Sequence, residues 1–352
     1  MSARSVMDAL DEAKYEIIPM GITKQGKWLT DKDPMRILQA LLAPPGRGRP
    51  QAPDATSRQL QRVRRELVPG AGEKGIPQVD VVFPVLHGPY GEDGTVQGLF
   101  ELADIPYVGA GVLGSAVAMD KAVMKGLFRA EGLPIADYLL LMRWDWEEHP
   151  TEVMQRVEER IGFPCFVKPA NLGSSVGVTK VHVAQELSPA LNAAALYDRR
   201  LLVEEAINAR EIELSVLGND HPVASLPGEV VPRREFYDYV AKYDDDETQL
   251  IVPAELPAEK VAELQNLAVR GFVALDCAGM ARADFLLDRD NQKAYINELN
   301  TIPGFTAMSM YPKMWAASGL SYPDLLDRLI QLALERHRDK GRMSTDYRGH
   351  ES

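Results

Sequence analysis

The stretch 280–300, MARADFLLDRDNQKAYINELN, holds two runs of alternating polarity around a polar turn. ARADFLL and KAYINELN read as strands, with Asp288, Arg289, Asp290, Asn291 and Gln292 as the turn. Antiparallel pairing about Asn291 sets Asp284 opposite Glu298 and Arg282 opposite Asn300. Side chains two residues apart share one face of a strand, so all four point the same way. Opposed Cβ atoms stand roughly 4.5–5.5 Å apart, and carboxylates that close repel unless a cation separates them. Carboxylate and amide oxygens suit a hard ion such as Mg²⁺, which typically uses about one or two carboxylates beside phosphate oxygens and water. The alternative is a polar hairpin face whose acids are paired by Arg282. An odd-length turn also admits a bulge that shifts the register.

Other groups along the chain carry compatible chemistry. Lys168 ends the apolar run PCFV and is followed by Gly173, Ser174, Ser175, Val176 and Gly177. Backbone N–H groups of such a loop can face an anion, although many Gly-Ser turns are only hairpin turns. The Walker A pattern is absent, since no Gly-Lys-Ser/Thr follows and a strand comes next. Lys121 stands at a helix start, a place that disfavours cations and attracts anions; a plain exposed lysine is the other reading. Lys242 lies in a loop with Phe236, Tyr237, Tyr239 and Tyr243, and loops that rich in aromatics bury or cover something. Glu204 and Glu205 end one apolar strand, while Glu211 and Glu213 begin the next. These acids suit an adenine amine and ribose hydroxyls, or simply a solvated sheet edge. After Asn300, Pro303-Gly304 forces a turn whose amides are candidates to face an oxyanion. His87 closes an apolar run at the usual ligand edge of a parallel sheet, or serves a structural role there.

Elements that must position these groups follow from the hydrophobic pattern. SARSVMDALD reads as a helix, followed by the strand YEIIPMGI. Residues 43–75 are rich in Pro, Gly and Arg and read as a surface insertion with one short helix. VDVVFPVLHG reads as a buried strand, TVQGLFELAD as a helix, PYVGAG as a short strand and SAVAMDKAVMKGLFRAEG as one helix. Such alternation predicts a largely parallel α/β sheet. Beyond Pro134 the texture changes to short strands: PCFVKPA, VGVTKVHV, RLLVEEAI, EIELSVLGN, VASLPGEVV and LIVPAEL. Helices SPALNAAALYD and AEKVAELQNLAVRGFVALD separate some of them, and YPDLLDRLIQLALERH carries an apolar stripe. The tail from Arg338 reads as polar and frayed.

The chain of 352 residues is long enough for two or three cores. Its 39 basic and 51 acidic residues give a net charge of −12, which argues against nucleic acid or anionic lipid as the main partner. Any anionic ligand must then be held by local cations. The two cysteines, Cys165 and Cys277, have no CxxC spacing and read as buried thiols of a cytoplasmic protein. No apolar run reaches the roughly 20 residues of a membrane helix, and the N-terminus has no basic region before an apolar core.

Lysines, an anion loop and a carboxylate pair together are the parts of a nucleoside triphosphate site. Six segments carry a resemblance: HGPYGEDGTVQG, MDK, KPANLGSSVG, YDYVAKY, GMARADF and NELNTIPGFTAMSMYP. Through them the chain, from Ser2 to about His337, resembles the D-alanine–D-alanine ligases of the ATP-grasp superfamily. The resemblance implies an N-terminal α/β substrate-binding domain over 1–118. A two-part ATP-grasp fold follows, with a central subdomain over 119–206 and a C-terminal one over 207–337. Residues 338–352 are expected to form a flexible tail. It also implies ATP, two Mg²⁺ (or Mn²⁺) ions, D-alanine as substrate and a homodimer.

By that resemblance Asp284, Glu298 and Asn300 would hold the metals. Lys121 and Lys168 would meet the α- and β-phosphates and Lys242 the γ-phosphate. Ser174 and Ser175 of the loop would touch ATP, with Ser174 linked to the closed lid through Tyr243. Glu204 and the Glu205–Ile207 backbone would bind adenine beside Phe236, and Glu211 the ribose. Arg282, with the Gly304 N–H, would stabilise the transferring phosphoryl group and the oxyanion. Arg282, Ser309 and Met310 would receive the second D-alanine, with His87 beside the substrates. Family members usually begin with a strand and a Glu-His-Glu-Val-Ser run just before the helix matching SARSVMDALD. This chain starts inside that helix, so the first strand and the glutamate expected to bind the first D-alanine are expected to be missing from it. An active ligase, a nucleotide-binding relic without activity, and an ATP-grasp ligase for another acid are the three functions to separate.

Overall fold

Along Ala209–Gly218, apolar Ile212, Leu214 and Val216 alternate with Glu213 and Ser215, and all five are buried. A strand without a solvent face belongs inside a sheet, and it lies there in the computed structural model, which describes residues 1–22, 28–29, 79–173, 175–231 and 248–343. In chain order the elements begin with α1 (Ser2–Ala9), β1 (Gly21–Ile22), β2 (Trp28–Leu29), α2 (Thr95–Leu102), α3 (Val112–Met119) and α4 (Lys121–Ala130). Next come β3 (Tyr138–Met142), α5 (Arg143–Glu148), α6 (Pro150–Arg160), β4 (Cys165–Pro169), β5 (Thr179–Val181), α7 (Ala184–Ala195) and β6 (Arg200–Glu205). The last part holds β7 (Ala209–Gly218), β8 (Val223–Ala224), β9 (Gly228–Val231), β10 (Gln249–Ile251) and α8 (Ala258–Ala274). It ends with β11 (Gly279–Asp288), β12 (Ala294–Asn300), α9 (Met310–Ala317) and α10 (Tyr322–Lys340).

Two antiparallel sheets organise these elements. One runs β10-β9-β7-β11-β12, with β8 also on β7; the other runs β3-β6-β4-β5. One face of the larger sheet, with Ile212, Phe285 and Ile296, packs on Leu264, Leu267 and Phe272 of α8. On its other face α9 and α10 cover one end through Tyr311, Trp315 and Leu325, against Leu217 and Met280. The rest of that face carries Glu213, Ser215, Arg282 and Asp284. The smaller sheet buries Val167, Leu201 and Val203 against α6 and α7.

Helix α4 runs between the sheets and serves both. Met124 and Phe128, fully buried, enter the core of the larger sheet. Ala122 packs on Ala170 and Leu202 of the smaller one. The first region is tied on separately: Arg336 of α10 donates to the carbonyls of Tyr107 (3.0 Å) and Gly109, and lies 4.3 Å over the Tyr107 ring. Gly279 has φ +71°, and a Cβ there would stand 3.0 Å from the Gly109 nitrogen, so the two backbones touch.

The mixed α/β class is as expected, and much of the first region, where a parallel sheet is expected, lies outside the described residues. Among the described residues the one parallel pairing is the bridge Val82–Tyr107, and the named strands all pair antiparallel. VDVVFPVLHG and PYVGAG contribute only that bridge, and YEIIPMGI contributes only Gly21–Ile22. The single helix expected around MDK is two, because the Asp120 side chain accepts from the Ala122 and Val123 N–H groups at 3.1 and 3.0 Å. An N-cap residue leaves the helical conformation, and Asp120 has φ −90°, ψ 99°. The last helix continues past Arg338 to Lys340. The insertion expected at 43–75 lies outside the described residues. Helices α5 and α6 lie where the sequence pattern had assigned no element. Both cysteines are buried and free; burial pushes the Cys165 thiol up to about 11 and Cys277 to about 12. No helix among the described residues is long and apolar enough to cross a membrane.

If α4 is the shared support, truncating its core anchor should be costly. Phe128→Ala is expected to lower unfolding stability by about 3–5 kcal/mol, read by denaturant titration. A loss below about 1 kcal/mol would show that α4 is not packed as described.

Candidate active site

The hairpin β11–β12 pairs as its sequence predicts: Arg282 faces Asn300 and Asp284 faces Glu298. A bulge follows at once, since Phe285 pairs with Ile296 and Asn297 is the extra residue. Without it, strict alternation from Ile296 would turn Glu298 toward the core and Leu299 outward. With it, Leu299 is 3% exposed in the core while Glu298 and Asn300 share the face of Asp284. On the other side β7 sets Ser215 opposite Arg282 and Glu213 opposite Asp284. One sheet face thus carries Glu213, Arg282, Asp284, Glu298 and Asn300.

Arg282 is the central cation of this face. Its Nε and Nη2 donate to the two Asp284 oxygens at 2.6 and 2.7 Å, and Glu213 Oε2 lies 3.3 Å from Nε. Burial works against its charge, yet Asp284 and Glu213 outweigh that and raise its pKa well above the ordinary value. Arg282 thus pairs Asp284 and Glu213, and Glu298 is paired with Lys121. Among the described residues no three His, Cys, Asp or Glu side chains gather as a ready cage. Two carboxylates and an amide nonetheless fit a hard divalent ion that takes its remaining ligands from phosphate and water.

Lys121 joins this face to the smaller sheet. Its Nζ donates to the Leu172 carbonyl at 2.9 Å and lies 3.2 Å from Glu298 Oε2. Leu172 opens the Gly-Ser loop, which turns at Ser175 (φ +56°) and Gly177 (φ +73°). A Cβ on Gly177 would stand 2.8 Å from the Tyr197 ring and 3.3 Å from Pro169, so glycine is required there. The N-terminus of α4 is further held by Arg200, 2.5 Å from the capping Asp120.

Beneath the loop, Lys168 Nζ meets Glu204 Oε2 at 2.6 Å, and Lys125 Nζ meets Glu204 Oε1 at 3.4 Å. Burial alone would raise the Glu204 pKa; Lys125 and Lys168 more than reverse this and hold it below the usual carboxylate value. Burial pushes the Lys125 ammonium pKa down, against the pull of Glu204. Glu205, also expected near adenine, accepts the Asp137 N–H at 2.7 Å, and Ile207 follows just after β6. Glu211 stands opposite Leu286 in β11.

The remaining expected residues surround the same face. His87 Nδ1–H donates to the Ile302 carbonyl at 3.0 Å, and Asn300 Oδ1 accepts the Ile302 N–H at 3.1 Å. Ser309 Oγ accepts the Thr306 N–H at 3.1 Å, and a Cβ on Gly304 would lie 3.2 Å from that oxygen. Met310 is buried against Met314 and Val230. Ser174, Phe236, Lys242 and Tyr243 lie outside the described residues. Sequence reasoning missed Lys125 and Glu92. A lysine four residues after Lys121, on a helix with apolar residues around it, was the available sign of the first. Glu92 is 8% exposed, accepts the Gly88 N–H at 2.5 Å and has Oε2 3.8 Å from a Cβ placed on Gly173.

The chain matches two family models, described as the D-ala D-ala ligase N-terminus over residues 1–110 and the D-ala D-ala ligase C-terminus over 127–331. The D-alanine–D-alanine ligase of Heliobacterium modesticaldum is 50% identical over 348 residues, covering 98% of this chain and 93% of that protein. That of Thermoanaerobacter sp. is 51% identical over 343 residues, covering 97% and 94%. The solved D-alanine–D-alanine ligase of Coxiella burnetii superposes with a TM-score of 0.79 at 37% identity, covering 97% of this chain and 90% of that one. VanG, a D-Ala:D-Ser ligase from Enterococcus faecalis, gives 0.78 at 35% identity, with 94% of each chain covered.

Removing the central cation should be felt in the fold itself. Arg282→Met leaves Glu213 and Asp284 facing each other without it, and breaking a buried pair in this way costs about 3–5 kcal/mol. A melting temperature equal to wild type would show that the face is solvated and that Arg282 does not hold it together.

Proposed function

The chain belongs to the D-alanine–D-alanine ligase family, and from that premise we propose that it joins two D-alanine molecules into D-alanyl-D-alanine for peptidoglycan precursor synthesis. ATP is the phosphoryl donor in this reading. A carboxylate oxygen of the first D-alanine bonds to the γ-phosphorus as the β–γ bond breaks, giving an acyl phosphate and ADP. The amine of the second D-alanine then bonds to the acyl carbon and loses a proton. The tetrahedral adduct collapses by breaking its bond to the phosphate oxygen, and phosphate leaves.

The observation that carries this is the position of Lys121, which contacts both the Gly-Ser loop and the carboxylate face. A polyphosphate lying along the loop would have its far end over Arg282, Asp284 and Glu298. Phosphoryl transfer depends on such positioning and charge compensation more than on covalent help. In this scheme Lys121 and Lys168 bind the α- and β-phosphates, Lys242 binds the γ-phosphate, and Ser174 and Ser175 contact ATP at the loop. Adenine sits at the end of β6, by Glu204, Glu205, Ile207 and Phe236, with Glu211 on the ribose. Arg282 and the Gly304 N–H face the oxyanion. Ser309, Met310 and Arg282 receive the second D-alanine, and His87 borders the first. Asp284, Glu298 and Asn300 would hold two Mg²⁺ or Mn²⁺ ions, which when bound neutralise phosphate charge. Tyr243 and Ser174 close the lid, which keeps water from the acyl phosphate. The enzyme is read as a cytoplasmic homodimer.

Two measurements test the reading. Asp284→Asn is expected to cut turnover by more than about 100-fold, since charge-stabilising groups of this kind are worth about 10²–10³-fold. Turnover like wild type at ordinary Mg²⁺ would remove Asp284 from the metal site. D-Alanine is expected to outcompete D-lactate and D-serine as second substrate near neutral pH, read by product mass. Mostly ester or mostly the D-serine product would assign the chain a different second substrate.

A further inference from the structure

Lys125 has no exposed surface, and nothing in the proposed reaction uses it. It sits one turn after Lys121 on α4, on the side that meets the smaller sheet. Glu204 takes a different lysine on each oxygen, Lys168 at 2.6 Å on Oε2 and Lys125 at 3.4 Å on Oε1. The cluster therefore sets two lysines against one carboxylate. Its side chains are 10% exposed at Lys168, 4% at Glu204 and 0% at Lys125, so Lys168 is the member nearest the loop and solvent. Burying an ammonium is costly, and a methionine of similar length would fill the same space without that cost. The charge calls for a reason.

We propose that Lys125 is a positioning residue for the nucleotide phosphates: by occupying one oxygen of Glu204, it stops that carboxylate from closing on Lys168 with both. Lys168 then keeps N–H donors for an anion lying on the Gly-Ser loop. With Lys125 removed, Glu204 and Lys168 form a neutral pair that attracts phosphate weakly. Lys125 never touches the ligand; it acts through Glu204. The inference rests on the nucleotide reading above.

The test is binding of ADP and of adenosine, by calorimetry or competition, to wild type and variants. If wild type fails to bind ADP, the nucleotide reading falls and the inference with it. If wild type binds, Lys125→Met is expected to weaken ADP by about 10–100-fold, the worth of one charge-assisted hydrogen bond. Adenosine, which has no phosphate, should change by less than about twofold. Lys125→Leu likewise removes the ion pair with Glu204, should show the same selective loss, and stands in if the methionine variant does not fold. Because Lys125 acts through Lys168, adding Lys125→Met to Lys168→Met is expected to weaken ADP by less than about threefold beyond the Lys168 variant alone. Equal losses for ADP and adenosine, unchanged ADP affinity, or a full additional loss in the double variant would each overturn the proposal.

Discussion

Helix α4 is packed on two sides at once, and the relation between the two sheets depends on it. Its Met124 and Phe128 are committed to the core of the larger sheet, and Ala122 and Lys125 to the smaller one. A helix used in this way cannot slide along one sheet without losing contacts on the other, because protein interiors are close-packed. The N-terminus of α4 is fixed as well, by the Asp120 cap and the Arg200 ion pair. Lys121 is the first residue after that cap, so its ammonium reaches both the Gly-Ser loop and Glu298. Packing at Phe128 and the contacts of Lys121 are consequences of the same short helix.

A second constraint lies in parity. A strand offers alternate residues to opposite faces, so the core of the larger sheet and the candidate site compete for positions on β12. Ile296 and Leu299 both point to the core although they are three residues apart. Only an inserted residue allows this, and Asn297 is that residue. The insertion leaves Glu298 and Asn300 both on the face of Asp284, where three strands contribute polar side chains. On β7 and β11 strict alternation suffices.

This explains what could be read from the sequence and what could not. The facing of Asp284 with Glu298 depends only on a hairpin and its turn, which are local, so residues 280–300 declared it. Helices α8 and α10 show long apolar stripes and were equally legible. The arrangement of Val82 and Tyr107 depends on pairing between distant segments, and alternation of apolar runs with helices suggested more parallel sheet than the described residues contain. Capping at Asp120 was written in the sequence as an acid before a lysine, yet apolar periodicity on both sides of it concealed the break. Lys125 was missed for a different reason. A lysine in a helix is ordinarily solvated, and its burial becomes visible only when β4 and β6 bring Glu204 to face it.

Net charge poses the last question. A chain with a formal charge of −12 repels a polyanion at a distance, and in physiological salt that repulsion is screened beyond about 8 Å. Capture must therefore rest on contacts inside that range. In the proposed reading Lys121, Lys168 and Arg282 would supply them, and each lies within 3.2 Å of a carboxylate oxygen. An unpaired cluster of cations in a partly buried site would be costly to maintain. Carboxylate partners lower that cost and fix where each cation points. Incoming phosphate oxygens then compete for donors already held in place, so little side-chain ordering is left to be done on binding. On that reading, the same carboxylates that would lower affinity by competing for the cations would supply the geometry for specific recognition of a triphosphate.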